Sequence, residues 1–365
     1  MDFSSRLDQA RVLAHKEGLD ALLITPGPDL RYLVGYDAVP LERLTCLVIP
    51  SSDEPFLVVP ELERLAAQAS PVGALGLALR TWNETDDPYA LVAKSLGTSS
   101  TVGLDNHMWA EKVLALRAAM PHAEQRLAEP VVGAMRMRKD AGEVAALREA
   151  GAAIDHVHSR VPEILRPGIT EAQAGQLIGD AILQAGHVRV DFIIVASGPN
   201  GASPHHEVSD RVMQLGDCVV VDIGGTMPSG YRSDCTRTYV LGKAPDSFVD
   251  SYTRLQESQK AASLHARPGV SCESVDAAAR DVLTRNGLGE LFVHRTGHGI
   301  GLETHEAPYM VSGNSLILEP GMAFSIEPGF YLEGHYGARI EDIVIVTETG
   351  AESVNHQPRE LIACV

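Results

Sequence analysis

Apolar and polar positions alternate along the first third of the chain in a pattern that predicts an α/β unit. An amphipathic stretch over residues 7–17 predicts a helix, and the apolar run over residues 20–25 predicts a buried strand. Two further apolar runs, CLVIP and FLVVP, predict strands, and the stretch ELERLAAQA after them predicts a helix. Short elements of both kinds continue to about residue 128. We therefore expect a small α/β domain over residues 1–133.

The second domain, expected over residues 134–365, opens with a long helix. Asp140 and Glu143 form a pattern typical of a helix-capping box. Apolar residues then recur at helical spacing. They are Val144, Leu147, Ile154, Val157 and Val161.

This second domain repeats itself. Arg-Pro-Gly occurs at residues 166–168 and 267–269, and the helical stretches that follow end at Gly186 and Gly287, an offset of 101 residues in both cases. An apolar strand, a turn and a returning strand come next in each copy: CVVVD with RSDCTRTYV, and AFSIE with ARIEDIVIV. We therefore expect two copies of a helix-plus-hairpin unit, related by a pseudo-twofold axis.

Composition limits the partners of the protein. Its 365 residues are 45% apolar and 21% charged, as in soluble two-domain proteins. The net charge of −18 argues against nucleic acid and against an anionic membrane surface. The chain shows no apolar run long enough for a membrane span and no apolar signal-peptide core. Five scattered cysteines without a C-x-x-C pair predict reduced structural thiols in a cytoplasmic protein.

Four acids occupy equivalent places in the two hairpins: Asp222 and Asp234 in the first, Glu327 and Glu341 in the second. A lone carboxylate inside an apolar strand is expensive to bury. Four that converge would repel one another and raise their pKa values unless cations neutralise them. This pattern predicts two divalent metal ions. Ligands rich in carboxylate favour manganese first and cobalt or zinc next.

Three histidines, His294, His298 and His305, lie within the stretch HRTGHGIGLETHE. A zinc-protease helix is excluded, because His305-Glu306 is followed by Tyr309 where that motif needs histidine. The glycines also disfavour a long helix. Glycine lets the backbone approach closely, so His298 is expected to complete the metal set.

These residues, with the motifs VVVDIGG, SDCTRTY, GHGIGLETHE, SIEPG and GARIED, resemble the pita-bread metallopeptidases. Methionine aminopeptidase, aminopeptidase P and prolidase share that fold. The resemblance implies an α+β pita-bread C-terminal domain with an internal pseudo-twofold repeat, preceded by a creatinase-like N-terminal domain. Methionine aminopeptidases usually lack the N-terminal domain, and creatinase lacks the intact metal set. The implied metal ligands are Asp222, Asp234, His298, Glu327 and Glu341.

The resemblance also implies hydrolysis of the bond that precedes proline at the start of short peptides. Glu327 would act as general base as well as ligand, and His305 would stabilise the developing oxyanion. His205 would contact the substrate near its proline, and His294 matches another active-site position. Arg339 would hold the carboxylates in place. His206, next to His205, is expected to point elsewhere.

Substrate length and assembly are the remaining expectations. We expect a dipeptidase whose Arg43 binds the substrate's terminal carboxylate through two parallel hydrogen bonds, with Arg31 as a second candidate. Pairing of Arg43 with Glu42 or Asp37 is the competing interpretation. An aminopeptidase P acting on longer peptides and a non-catalytic binding protein on the same fold stay open. A homodimer is expected, with contacts near residues 39–41.

Overall fold

The computed structural model describes residues 2–364 and divides the chain into two compact units, Met1–Arg136 and Met137–Val365. The split falls three residues after the predicted boundary at residue 133. None of the helices within residues 2–364 is both long enough and apolar enough to cross a membrane.

The helices and strands of the first unit follow the predicted α/β pattern. Its helices are α1 (Phe3–Lys16), α2 (Pro28–Val34), α3 (Arg64–Ala69), α4 (Pro71–Ala74), α5 (Pro88–Leu96), α6 (Ala110–Ala119) and α7 (Val132–Met137), the last of which ends one residue past the split. Its strands are β1 (Ala21–Ile24), β2 (Cys46–Pro50), β3 (Phe56–Pro60), β4 (Ala78–Trp82), β5 (Thr101–Leu104) and β6 (Glu124–Leu127).

The six strands of the first unit form one mixed sheet in the order β4-β3-β2-β1-β5-β6. β1, β2 and β3 pair antiparallel, whereas β4, β5 and β6 join in parallel. β1, β2 and β3 are buried along their whole length, which explains their continuous apolar sequences. Between β1 and β2, α2 ends at Val34 with Gly35 as its left-handed C-cap.

The second unit contains the helices and strands of the repeat. Its helices are α8 (Ala141–Ile164), α9 (Glu171–Gln184), α10 (Asp246–His265) and α11 (Cys272–Arg285). Its strands are β7 (Arg189–Ser197), β8 (Cys218–Thr226), β9 (Arg232–Leu241), β10 (Gly297–Gly299), β11 (Glu306–Met310), β12 (Ala323–Ile326), β13 (Gly329–Leu332), β14 (Tyr336–Arg339), β15 (Asp342–Val346), β16 (Ala351–Ser353) and β17 (Ile362–Cys364).

The capping box predicted at the start of α8 is confirmed. The Asp140 carboxylate accepts the backbone N–H of Glu143 at 2.9 Å, and the Glu143 carboxylate accepts that of Asp140 at 3.0 Å. These two bonds satisfy donors that a helix start would otherwise leave free. Leu147, Ile154 and Val157 along the same helix are fully or almost fully buried.

The internal repeat is confirmed by matching backbone geometry. Gly168 and Gly269 both have left-handed φ values, 93° and 87°, which only glycine adopts without strain. The N–H of Gly168 donates to Met213 O at 3.0 Å, and the N–H of Gly269 donates to Leu318 O at 2.9 Å. The same turn therefore opens the second helix of each half.

Each half has its own sheet and its own core. The first sheet has the order β17-β9-β8-β7 and the second the order β11-β10-β12-β15-β16. One apolar cluster joins α8 and α9 to the first sheet, and another joins α10 and α11 to the second. Two cores of similar make-up thus support one site from two sides.

The second hairpin differs from the prediction. The expected returning strand ARIEDIVIV is broken, because an extra two-stranded sheet, β13-β14, lies between β12 and β15. β14 ends at Arg339 and pairs with β13, while β15 begins at Asp342 and pairs with β12. Glu341 therefore lies at the point where the chain changes partner strands, and it does not share one continuous strand with Arg339.

Candidate active site

The four predicted acids and His298 line one cavity of about 1000 Å³ in the second unit. Asp222 comes from β8 and Asp234 from β9, the two paired strands of the first half. His298 lies on β10, Glu327 directly follows β12, and Glu341 precedes β15. Each half of the repeat thus delivers two acids, and the second half adds the imidazole.

Three of these residues form the tightest group. One ligand atom from each of Asp234, His298 and Glu341 lies within 4.8 Å of the others. His298 Nε2 also lies 3.7 Å from Asp234 Oδ2 and 3.4 Å from Glu327 Oε1. Asp234, His298 and Glu341 are at most 3% exposed. Water is therefore largely excluded from their donor atoms.

The carboxylates carry the electrostatic signature of a site built for cations. Burial, reinforced by repulsion from neighbouring carboxylates, raises the pKa of Asp234 and that of Glu341 well above the ordinary carboxyl range. Burial also raises the pKa of Glu327 to about 7. Positive charge from bound cations would restore the ionised forms of all three.

Asp222 supplies a second sign of a cation-binding site. Its Oδ2 accepts a hydrogen bond from Arg339 Nη2 at 2.6 Å. Its Oδ1 is buried and finds no hydrogen-bond partner within residues 2–364. A buried carboxylate oxygen without a partner is costly, and a metal ion is the partner that fits this donor set.

The protonation state of His298 also suits a metal ligand. Its Nδ1 lies 3.1 Å from the carbonyl oxygen of Gly299. A carbonyl can only accept, so Nδ1 carries the proton and Nε2 keeps its lone pair. Burial, followed by the nearby His305, lowers the pKa of His298 to about 3, so the ring is neutral at physiological pH.

Glycine and serine at the strands hold His298 in place. A Cβ on Gly297 would overlap the carbonyl oxygen of Ser325 on the neighbouring strand, so only glycine lets the strands approach this closely. The Ser325 hydroxyl accepts the backbone N–H of His298 at 3.0 Å and donates to Glu327 Oε1 at 3.0 Å. Ser325 was not predicted, although its two-residue spacing from Glu327 puts both on one face of the strand.

Thr236 fixes Glu341 beside Asp234. Its hydroxyl donates to Glu341 Oε2 at 2.7 Å, and its carbonyl oxygen accepts the backbone N–H of Glu341 at 3.1 Å. Thr236 lies two residues after Asp234 on the same face of β9. The second half's acid is thus held by the first half's strand.

Arg339 connects the acids to the cavity wall. Besides Asp222, its guanidinium donates to Thr236 Oγ1 at 3.2 Å and to the Tyr331 hydroxyl at 2.7 Å. The Tyr331 hydroxyl lies 2.8 Å from Nε2 of His294. His294 Nδ1 lies 2.8 Å from the Arg295 carbonyl, so it carries the proton and Nε2 accepts from Tyr331. Tyr331 was not predicted, and its sequence context offers no signal for it.

The remaining predicted histidines also line the cavity. The rings of His305 and His298 are 4.0 Å apart between centroids, tilted by 58°. His305 is exposed to the cavity, yet desolvation by the surrounding wall and the charge of Arg295 lower its pKa. His205 is exposed on the loop that follows β7. His206 also lines the cavity, but its Nε2 is engaged by Glu171, 2.8 Å from Oε2.

Arg43 and Arg31 belong to the first unit and are paired there. Arg43 donates to Glu84 at 2.8 Å and to Glu42 at 2.7 Å. Arg31 donates to Asp37 at 2.8 Å. The competing interpretation of Arg43, an ion pair with Glu42, is thus present, and Glu84 is a partner that the sequence did not suggest.

Fold and donor set together define a metal-dependent hydrolase. Residues 145–348 match the model of metallopeptidase family M24, and residues 6–138 match that of the creatinase/prolidase N-terminal domain. The chain belongs to metallopeptidase family M24, whose members use divalent metal ions.

Similar proteins extend over nearly the whole chain. A probable dipeptidase PepE of Mycobacterium tuberculosis is 53% identical over 99% of this chain and 96% of its own length. An Xaa-Pro dipeptidase of Lactobacillus helveticus is 34% identical over 97% of this chain and 98% of its own. The crystal structure of a prolidase from Thermococcus sibiricus is 34% identical, with a TM-score of 0.93 over 100% of this chain and 99% of that one.

Proposed function

We propose that this chain hydrolyses Xaa-Pro dipeptides with the help of two divalent metal ions. The observation that carries the proposal is the convergence of five donors in one cavity large enough for a short peptide: Asp222, Asp234, His298, Glu327 and Glu341. Similarity along almost the whole chain to an Xaa-Pro dipeptidase and to a prolidase supports the choice of substrate.

Those five residues would hold the two ions. Carboxylate oxygens with a single imidazole nitrogen suit hard or borderline cations, so we propose manganese first and cobalt or zinc next. When bound, two such ions polarise the scissile carbonyl and lower the pKa of the attacking water.

Glu327 is the residue we assign to proton transfer. Its carboxylate lies at the cavity and is held by the Ser325 hydroxyl, which keeps one oxygen fixed while the other stays available. It would accept the proton of the attacking water and pass it to the proline nitrogen as the peptide bond breaks.

We assign two of the cavity histidines to contacts with the substrate. His305 is exposed at the cavity, next to His298, and would donate a hydrogen bond to the oxyanion that develops on the substrate carbonyl. His205 would contact the substrate near its proline. His294 already uses both ring nitrogens, so we assign it to the cavity wall, where it supports Tyr331. Arg339 would hold the Asp222 carboxylate in its orientation through their hydrogen bond.

Substrate length separates the dipeptidase from its alternative. We propose that Arg43 binds the terminal carboxylate of a dipeptide. Its pairs with Glu42 and Glu84 are the competing interpretation of Arg43, an ion pair of the first unit that takes no part in substrate binding. The alternative function is an aminopeptidase P that accepts longer peptides. The test is Arg43→Ala on a Xaa-Pro dipeptide and a Xaa-Pro-Xaa tripeptide. The dipeptidase predicts a loss of ~10-fold or more in kcat/KM on the dipeptide alone, as for a lost charged hydrogen bond. Equal loss on both would favour aminopeptidase P.

A cytoplasmic homodimer is part of the proposal. Val39 and Leu41 are 70% and 39% exposed, which makes the segment around them a candidate contact. Sedimentation at micromolar concentration tests the dimer, and a monomer throughout would contradict it.

The decisive assay for the function uses the purified full chain. Hydrolysis of Ala-Pro with added manganese, abolished by a chelator and restored by the metal, is the expected result. A metal-loaded protein that leaves Xaa-Pro dipeptides and tripeptides intact would favour the non-catalytic binding protein.

A further inference from the structure

The loop over residues 198–209 carries His205 to the cavity. We call it the histidine loop. It follows β7, begins with a short 3-10 turn at Gly198–Ala202, and has no regular secondary structure from residue 203 to residue 209. His205 itself is exposed, and no atom of the described chain hydrogen-bonds to its ring. Its position must therefore come from the residues around it.

Both neighbours of His205 are tethered. The carbonyl oxygen of Pro204 accepts a hydrogen bond from Arg339 Nη2 at 3.3 Å. On the other side, His206 Nε2 lies 2.8 Å from Glu171 Oε2. His205 thus sits between two fixed points, one of which is the Glu171 carboxylate at the start of α9.

Glu171 accepts hydrogen bonds from residues at both ends of the histidine loop. Its side chain is completely buried. At one end of the loop it accepts the Ser197 N–H at 2.7 Å and the Ser197 hydroxyl at 2.6 Å. At the other end it accepts the Ser209 hydroxyl at 2.6 Å, and in between it accepts Asn200 Nδ2 at 3.1 Å. A single carboxylate therefore closes the loop.

The electrostatics agree with an ionised Glu171. Burial alone would raise its pKa, but the hydrogen bonds from Ser197 and Ser209, followed by that of His206, outweigh burial and lower it. An ionised carboxylate only accepts, so His206 Nε2 carries the proton in this contact. Every partner of Glu171 donates a hydrogen bond to its carboxylate. Glutamine would replace one of the two accepting oxygens by a donating NH2 group, so it could not accept all of these bonds.

The second half of the repeat holds its own histidines in a similar way. Asp276 on α11 is buried, and its Oδ1 accepts the Thr296 N–H at 3.0 Å and the Thr296 hydroxyl at 2.8 Å. Thr296 lies between His294 and His298. Asp276 is not at the position equivalent to Glu171, yet the paired contact, N–H and hydroxyl of one residue, is the same. An acid on the second helix of each half fixes a histidine-bearing segment.

We propose that Glu171 is a positioning residue for catalysis, which sets the place of His205 by closing the histidine loop. The inference rests on the proposed function, in which His205 contacts the substrate. A purely structural Glu171 would instead stabilise the unit without affecting what His205 does.

A double-mutant cycle separates the two roles. The variants are Glu171→Gln, His205→Ala and their combination, assayed with manganese on Ala-Pro. Glu171→Gln is expected to lower kcat/KM by ~10-fold or more, since a misplacement of about 1 Å can cost that much. The loss should appear in the same parameter, kcat or KM, that His205→Ala changes. In the His205→Ala background Glu171→Gln should have almost no further effect.

Asp105→Asn is the matched control. Asp105 is also buried and accepts both the N–H and the hydroxyl of one residue, Thr25, each at 2.7 Å, but it does not line the cavity. It should lose stability and keep wild-type kcat/KM. His206→Ala, a milder change, serves if Glu171→Gln does not fold. It should show a smaller loss that is likewise absent in the His205→Ala background.

Hydrogen exchange of the metal-free protein gives a readout independent of activity. Residues 198–209 should exchange faster in Glu171→Gln than in the wild type, while β8 keeps its protection. Wild-type kcat/KM in folded Glu171→Gln, full additivity in the cycle, or unchanged exchange of the loop would each overturn the inference. A wild type that cleaves no Xaa-Pro substrate would instead overturn the proposed function, and the exchange result would still decide whether Glu171 closes the loop.

Discussion

Arg339 Nη2 lies 2.6 Å from Asp222 Oδ2, and this pair leaves the other carboxylate oxygen of Asp222 buried and without a partner in the described chain. Both residues are buried, at 2% and 8% exposure. The guanidinium therefore fixes one oxygen of the carboxylate and leaves the other, Oδ1, as a buried acceptor that a cation could use.

Arg339→Gln should lower the free energy of unfolding by ~3–5 kcal/mol, because it leaves Asp222 buried without its cationic partner. Arg339→Lys keeps the charge and should lose less. Urea unfolding of the metal-free protein measures both. Arg254→Gln is the control, since its pair with Glu257 is about half exposed and should contribute less than about 1 kcal/mol. Equal losses for the glutamine and lysine variants would show that the guanidinium geometry matters more than its charge.

Glu327→Gln should lower kcat by ~10²-fold or more with the fold intact, because it removes a proton acceptor as well as a metal ligand. Initial rates, metal analysis and circular dichroism together test this. Asp222→Asn and Glu341→Gln should reduce the metal content as well. Glu333→Gln, in the exposed turn between β13 and β14, is the control and should behave as wild type. Near-normal turnover of Glu327→Gln with metal bound would rule out the proposed mechanism.

His305→Ala should lower kcat by ~10²-fold or more and leave the metal content almost unchanged, since we assign His305 to the oxyanion. The close approach of its ring to that of His298 makes metal analysis the critical measurement. The loss of one equivalent of metal would make His305 a ligand instead. Replacing the exposed His335 by alanine should change neither quantity.

His158 should make the protein sensitive to mild acid. Burial, followed by the positive charge of Arg237, lowers its pKa to about 3, and the hydrogen bond to the Cys235 carbonyl only partly opposes this shift. The two ring nitrogens lie 3.0 Å from the Tyr239 hydroxyl and 3.0 Å from the Cys235 carbonyl oxygen. An unfolded chain binds a proton there below about pH 6.5, and the folded chain does not until near pH 3. Stability should therefore fall as the pH drops through this window.

His158 should contribute up to about 1.4 kcal/mol per pH unit to the slope of the free energy of unfolding against pH. Urea unfolding of the metal-free protein between pH 7.5 and pH 5 measures it as the difference between wild type and His158→Gln. The variant should show a shallower slope. His156→Gln, at an exposed position of the same helix, should keep the wild-type slope. An unchanged slope in His158→Gln would contradict the prediction.

The acids and the repeat could be predicted because their signals are local and occur twice. Arg-Pro-Gly turns, apolar strands and an acid inside each strand recur at matching distances, so each half supports the interpretation of the other. The alternation of side chains along β9 likewise puts Thr236 on the same face as Asp234. The structure brings both next to Glu341.

The remaining contacts of the site depend on pairs far apart in the sequence. The extra sheet β13-β14 was missed because its strands are four residues each, and β14 leads almost directly into β15, so that the two strands look like one in the sequence. Glu171 looks like any acid in the first turn of a helix, and its partners lie 26 to 38 residues later. Arg43 illustrates the same limit, since Glu84 is 41 residues away.

The duplication in the second unit places the active site at the contact between its two halves. Neither half alone supplies the full set of donors, and the acids of the two halves repel one another in the absence of cations. Bound cations would therefore hold the halves together, and the free metal concentration would enter the folding equilibrium of the unit. A chelator would do more than stop turnover. It would weaken the contact between the two halves, which the chain connects only through the segment between β9 and α10 and the segment between β16 and β17.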